Sequence, residues 1–112
     1  ADAKTATEQL LSLQAENGGW AQQPGMDAEA YSTGSALAAL LATNSIDSKH
    51  PACEAAISFL LEAQLEDGSW KIETRSRPIQ KHYESGFPHG KDQFISCAGS
   101  CWAVLALLRA IE

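Results

Sequence analysis

The strongest constraint on the fold is a motif that the chain contains twice, fifty residues apart. Residues 14–20 read QAENGGW and residues 64–70 read QLEDGSW, so both copies fit the pattern Gln-x-x-x-Gly-x-Trp. The apolar residues before each Gln follow the i, i+3, i+4, i+7 spacing of an amphipathic helix. A motif repeated together with its helical periodicity predicts two equivalent helical units.

A second pair of similar segments follows the two motifs. Residues 34–40 (GSALAAL) and 99–105 (GSCWAVL) both open with Gly-Ser and are apolar nearly all round. Such a helix is typically buried on most sides, and its small residues let a neighbouring helix approach closely. Each repeat is therefore predicted to be an αα-hairpin with an amphipathic outer helix, a Gly-x-Trp turn and a buried inner helix.

These patterns predict an all-α chain without strands, built as one domain over residues 1–112. Repeat one is expected to span about 3–44 and repeat two about 50–112, with Gly18 and Gly68 ending the two outer helices. The separation in sequence from Trp to the inner-helix Gly is 14 residues in repeat one (Trp20 to Gly34) and 29 in repeat two (Trp70 to Gly99), which places an insertion within 71–91. The predicted helices lie near 4–16, 32–43, 51–64 and 93–110.

Charge and composition limit the classes of partner. The net charge of −6 argues against nucleic acid, because phosphate contacts need a basic surface. The apolar run 94–108 is about fifteen residues and is interrupted by small polar residues, which predicts a buried helix and no transmembrane segment. Cys53, Cys97 and Cys101 are interpreted as reduced core residues, with a disulfide as the alternative. No targeting signal is visible, and a cytoplasmic or membrane-peripheral location is favoured.

The segment Phe59-Leu60-x-x-x-Gln64-x-x-x-Gly68-x-Trp70 resembles the QW motif of squalene-hopene and oxidosqualene cyclases. The copy that ends at Trp20 is looser, with Gln9 where an aromatic residue is usual. The helical-hairpin repeat is also similar to that of protein prenyltransferase β-subunits. The resemblance covers essentially the whole chain and implies an α/α-toroid, of which two hairpins form an open, incomplete part. It further implies the C-terminal part of a larger isoprenoid-cyclase-like protein.

The resemblance implies a structural role for the repeated motif. In that family the Gln lies against the Trp ring and hydrogen-bonds toward a neighbouring helix end, which ties the outer helices together. An indole ring and an amide side chain suit such a contact. Substrate recognition by the Trp rings is the alternative interpretation. The residues that take the structural role here are Gln14, Gly18, Trp20, Gln64, Gly68 and Trp70.

The catalytic motifs of these enzymes do not occur in the sequence. The cyclases use an Asp-x-Asp-Asp acid, and the prenyltransferases bind zinc through Asp-x-Cys and a distant His. Cys97 and Cys101 lie four residues apart, but their interpretation as packing residues leaves no predicted metal and no predicted cofactor. Enzymatic activity therefore stays open. One hypothesis is a cyclase-like segment whose acid lies elsewhere in the parent chain, and the alternative is a non-catalytic helical-repeat module that binds a protein or a ligand.

The insertion carries five of the eight basic residues of the chain and two of its three histidines. It is interpreted either as a solvated loop or as a binding lip for an isoprenoid or anionic ligand beside the N-terminus of the last helix. Asp92 is predicted to cap that helix. The expected partners are further repeats of the parent chain or a second copy. The candidate ligand-binding residues are Arg75, Arg77, Lys81, His82, Tyr83, Glu84, Phe87 and His89.

Overall fold

A computed structural model describes residues 3–75 and 84–111, and these ranges contain helices and no strands. A 3-10 turn, Gly90–Asp92, leads directly into the last helix. The prediction of an all-α fold with four principal helices is confirmed. The helices are α1 (Ala3–Ser12), α2 (Ala30–Ala42), α3 (Pro51–Ala63) and α4 (Gln93–Ala110).

The centre of the fold is the contact between α2 and α4. A Cβ atom on Gly34 would lie 2.6 Å from the backbone of Trp102, and one on Gly99 would lie 3.4 Å from the backbone of Tyr31. Because both contacts advance together along the two helices, α2 and α4 run in the same direction. The absence of a side chain at Gly34 lets the two backbones approach this closely.

The outer helix α3 packs against both α2 and α4 and contributes Cys53, Ala56 and Leu60 to the core, all with no exposed surface. The outer helix α1 adds Leu10 and Leu11, which are partly buried against the same core. The four helices thus bury one shared apolar centre, as the periodicity of the sequence predicts.

The outer helices end earlier than predicted. Helix α1 stops at Ser12 and α3 at Ala63, before the Gln of each motif, and Gln64 already has an extended backbone. Gly18 and Gly68 do not terminate the helices. They close the following turn instead, with φ of +93° and +88°, a region that a residue with a Cβ atom rarely adopts. The prediction that these glycines end the helices was therefore wrong. Each outer helix ends several residues before its glycine, and the glycine provides the left-handed backbone of the turn that follows.

Helix α4 is apolar on two opposite faces. The face formed by Gly99, Ala103 and Ala106 is buried, whereas Val104, Leu105 and Leu108 on the other face are 44–53% exposed. Together with the 3-10 turn it forms a 21-residue segment, Gly90–Ala110, which contains an 18-residue window of mean hydropathy 1.3 and is long and apolar enough to cross a membrane by length and composition alone. The core helix of a globular protein meets the same criterion. The segment is longer than the run counted in the sequence, and the expectation of no transmembrane segment stays a prediction.

Candidate functional site

The two copies of the repeated motif form the same hydrogen-bonded unit, here called the first clasp (residues 14–20) and the second clasp (residues 64–70). In each, the indole Nε1 donates to a Leu carbonyl of the preceding helix at 2.8 Å, Leu10 for Trp20 and Leu60 for Trp70. In each, the Gln Nε2 donates to the carbonyl of the Gly four residues later at 2.9 Å. The two indoles are 2% and 1% exposed, so both Trp side chains belong to the core.

The two clasps differ in the reach of the Gln side chain. Gln14 Nε2 also donates to the carbonyl of Ala52 at 2.9 Å and so ties the first clasp to the first turn of α3. Gln64 is exposed, and its side-chain bond within the described residues goes to its own turn. The link between outer helices that the resemblance implies is present for Gln14.

A hydroxyl group on each inner helix holds the backbone of the clasp Trp. Thr33 Oγ1 accepts from the amide of Trp20, 13 residues earlier, at 2.8 Å, and Ser100 Oγ accepts from the amide of Trp70, 30 residues earlier, at 2.9 Å. Both hydroxyls are buried. The hydrogen bonds thus match Thr33 with Ser100, whereas the sequence comparison matched Gly34 with Gly99. The hydroxyls were missed because small residues are interchangeable in an apolar pattern and the contact is not local.

The described ends of the insertion are hydrogen-bonded to the start of α4. On its N-terminal side, Ile72 N donates to Ser96 Oγ and Thr74 N donates to Asp92 Oδ1, both at 2.9 Å. Asp92 occupies the N-cap position of α4, is 3% exposed and makes no side-chain capping bond. The prediction that it caps the helix was wrong, because its carboxylate accepts a hydrogen bond from Thr74 in the N-terminal part of the insertion instead.

Gln93 organises the C-terminal end of the insertion. Its side chain has no exposed surface, accepts from Ser85 N and donates to the carbonyl of Gly90 at 2.8 Å. It also lies 3.3 Å from both carboxylate oxygens of Glu84. A buried amide with all its groups bonded fixes the backbone around it. Gln93 was not among the candidates, since one Gln at a helix start carries no distinctive pattern.

The second clasp and the insertion meet through a chain of three side chains. Ser69 Oγ lies 2.6 Å from Asp67 Oδ1 and 2.8 Å from His89 Nε2. An ionised carboxylate only accepts, so the Ser69 hydroxyl donates to Asp67 and accepts from the N–H at Nε2 of His89. The two bonds from Ser69, side chain first and then backbone, lower the pKa of Asp67, and the charge of His89 adds to the effect. Because its proton points to Asp67, Ser69 is not a nucleophile activated by His89.

The structure brings together some of the predicted ligand-binding residues. The rings of Phe87 and His89 meet edge to face at 6.3 Å, Glu84 is bound to Gln93, and Arg75 is exposed. His89 has a left-handed backbone with φ of +87°, which is uncommon for a residue other than Gly. The remaining candidates lie outside the described residues: Arg77, Lys81, His82 and Tyr83.

The three cysteines are free thiols in different environments. Cys53 is fully buried in the core, as predicted, but Cys97 is half-buried and Cys101 is exposed on the apolar face of α4. The interpretation of Cys101 as a core residue was therefore wrong, because α4 turns that face away from α2. Within the described residues there is no group of three or more potential metal ligands.

A cleft of about 590 Å³ lies at the opposite end of the helices from the insertion. It is bordered by the loop between α2 and α3 and by the end of α4, and Asp47, His50 and Arg109 are among its lining residues. One ring nitrogen of His50 is already used to cap α3, since its Nδ1 accepts a hydrogen bond from Ala52 N. Of the predicted ligand-binding residues that the structure describes, none lines this cleft.

Buried indole clasps on paired helices and an inner helix with an exposed apolar face define the class of protein as a helical-hairpin repeat of the α/α-toroid type. A family model described as the squalene-hopene cyclase C-terminal domain matches residues 1–112. The chain belongs to that family, and the predicted resemblance is confirmed. No curated protein and no solved structure matches the chain significantly.

Proposed function

We propose that this domain forms part of the apolar wall of an isoprenoid-binding toroid, as the terminal segment of a larger cyclase-like protein. The observation that carries the proposal is the second apolar face of α4. Val104, Leu105 and Leu108 are 48%, 44% and 53% exposed on a helix whose opposite face is already packed against α2. A hydrocarbon chain offers few hydrogen bonds, so its binding free energy comes from the burial of such side chains.

The acid that starts a cyclisation is proposed to lie outside this sequence. The 112 residues contain no Asp-x-Asp-Asp. Asp67 and Asp92 are engaged in hydrogen bonds that hold the clasp and the insertion. Both roles require a carboxylate that accepts hydrogen bonds, whereas an acid catalyst must present a proton to the substrate. These aspartates support structure rather than proton transfer.

The insertion is proposed to contact one end of the ligand. Its described C-terminal part leads into the beginning of α4 and contains the paired rings of Phe87 and His89. Arg75 is exposed at its other end and can attract an anionic group. Asp92 and Glu84 lie near the N-terminus of α4, and their negative charges offset part of the positive end of the helix.

A titration with a C15 isoprenoid alcohol, followed by methyl NMR, tests the proposed wall. We expect the largest shift changes at Leu105 and Leu108, and Leu105→Gln should weaken binding by about tenfold because it removes apolar contact area. Leu61→Gln is the matched control, since Leu61 is 57% exposed on α3. Equal effects of the two substitutions, or shifts spread over all exposed leucines, would refute a specific wall on α4.

A non-catalytic ligand-binding or protein-binding module is the second candidate, and the lack of an acid motif in these residues favours it. The two functions differ in what happens to the ligand. Incubating squalene with the larger protein that carries this domain should give cyclised products, detectable by gas chromatography with mass spectrometry. Recovery of unchanged squalene, together with retained binding to α4, would refute the cyclase function and support the non-catalytic binding module.

A further inference from the structure

Two thiols stand next to each other on the exposed apolar face of α4. Cys97 and Cys101 are separated by one turn of α4, which places both side chains on the same face of the helix. Partial burial, followed by the charge and the hydrogen bond of Cys101, raises the pKa of Cys97. The Cys97 thiol is therefore protonated at neutral pH, and no charged residue occurs between 93 and 108 on this helix.

Helix geometry disfavours a disulfide bond between Cys97 and Cys101. Residues four apart on a helix have Cβ atoms about 5–6 Å apart. A disulfide requires Cβ atoms about 3.5–4.5 Å apart, so the pair cannot close a bond to itself without distorting α4. A bridging atom between the two sulfurs lengthens the link and removes this conflict. The pair is thus shaped for a ligand that joins two thiols rather than for their oxidation.

We propose that Cys97 and Cys101 form a dithiol site for a trivalent metalloid, with arsenic(III) compounds as the ligand class. With an organoarsenic oxide, two S–H bonds and the arsenic–oxygen bond break, two As–S bonds form and one water leaves. Arsenic stays trivalent, so the step needs neither an oxidant nor a reductant. Both thiol protons end in the released water, and the product carries no charge.

The neutral product distinguishes this ligand class from metal cations. Zinc takes about four ligands, and the described residues offer no group of three or more. A monovalent soft metal held by two thiolates would leave a net negative charge on an apolar face, where charge is costly. An arsenic(III) bridge adds no charge to the apolar face that also carries Val104, Leu105 and Leu108.

The experiment uses phenylarsine oxide and intact-mass spectrometry of the folded 112-residue chain. We expect one equivalent to bind, with the loss of two of the three titratable thiols, Cys53 remaining free. A dithiol competitor should remove the adduct, and a monothiol at the same thiol concentration should not. Cys101→Ser should weaken binding by about 100-fold or more, since the second bond is then no longer intramolecular.

The matched control keeps the number of thiols and changes only their spacing. In Cys101→Ser/Leu105→Cys the second thiol lies two turns from Cys97, beyond the reach of one bridging atom. It should bind as weakly as Cys101→Ser alone, and circular dichroism should show that both variants are folded. Retained tight binding in the spaced variant, or an adduct of the wild type that a monothiol removes, would overturn the dithiol site.

Discussion

Ser69 Oγ lies 2.8 Å from Nε2 of His89, twenty residues further along the chain, and this contact joins the second clasp to the end of the insertion. The first clasp has Gly19 in the place of Ser69 and Asn17 in the place of Asp67. Asn17 Oδ1 accepts from Gly19 N at 3.0 Å, as Asp67 Oδ1 accepts from Ser69 N at 2.9 Å. The turn is thus the same in both repeats, and the hydroxyl and carboxylate are specific to the copy that holds an insertion.

The first prediction concerns the titration of Asp67. Its pKa is lowered in the folded protein, so its ionised form stabilises the fold above the unfolded-state pKa, and this contribution is lost as the pH falls through the folded-state pKa. In Ser69→Ala the pKa of Asp67 should move up toward its ordinary value, as measured by NMR. Ser12→Ala, which removes a hydroxyl that donates to the carbonyl of Gln9, should leave it unchanged. An Asp67 titration that is identical in both variants would refute the role of the Ser69 hydroxyl.

The second prediction concerns the indole of the second clasp. Trp70→Ala should lower the free energy of unfolding by about 3–5 kcal/mol, because it removes a large side chain that is 1% exposed. Trp70→Phe keeps most of the apolar volume but loses the bond to the Leu60 carbonyl, and it should cost about 1–3 kcal/mol. Urea denaturation measures both values. A neutral Trp70→Ala would show that the motif is not structural.

The third prediction compares the two glutamines. Gln14→Ala removes bonds to Gly18 and to Ala52 in partly buried surroundings and should cost about 1–3 kcal/mol. Gln64→Ala removes one exposed bond within its own turn and should cost less than about 1 kcal/mol. Thermal melts of the two variants measure the difference. Equal destabilisation would mean that the bond to Ala52 does not couple the outer helices.

The sequence predicts the helices well because helical periodicity and the repeated motif are local signals. Helix α4 shows this, since it was predicted near 93–110 and is found at Gln93–Ala110. Contacts between distant residues have no such signal. The bond from Ser69 to His89 and the buried position of Gln93 depend on how the insertion returns to α4, which no periodicity encodes. The sequence also does not predict which face of α4 is exposed, because a helix that is apolar all round gives no indication of the face that packs against other helices.

The fourth prediction concerns self-association through the apolar face of α4. Exposed side chains such as Leu105 and Leu108 form a continuous row along the helix, and such rows favour association. Light scattering should show a mass that rises with protein concentration, and a hydrophobic dye should bind. Leu105→Gln/Leu108→Gln should lower both signals, whereas Leu61→Gln/Leu13→Gln, with Leu61 on α3 and Leu13 just after the end of α1, should lower them less. A strict monomer that binds no dye would contradict the prediction that a second copy or a further repeat packs on this face.

The last prediction tests the proposed ligand contacts of the insertion. A C15 isoprenoid diphosphate should bind more tightly than the corresponding alcohol, because Arg75 is exposed and Arg77 lies two residues further along the chain. The gain should be no more than about tenfold, since exposed charge pairs contribute about 0–1 kcal/mol. The carboxylates of Asp92 and Glu84 act against the anion.

Calorimetric titrations of both ligands at two salt concentrations measure this difference. Arg75→Ala/Arg77→Ala should bring diphosphate binding down to the level of the alcohol, and higher salt should do the same for the wild type. Binding of the alcohol should not change in either case, which separates the insertion from the apolar wall on α4. If the diphosphate does not bind, or binds equally well to the double variant, the insertion is a solvated loop.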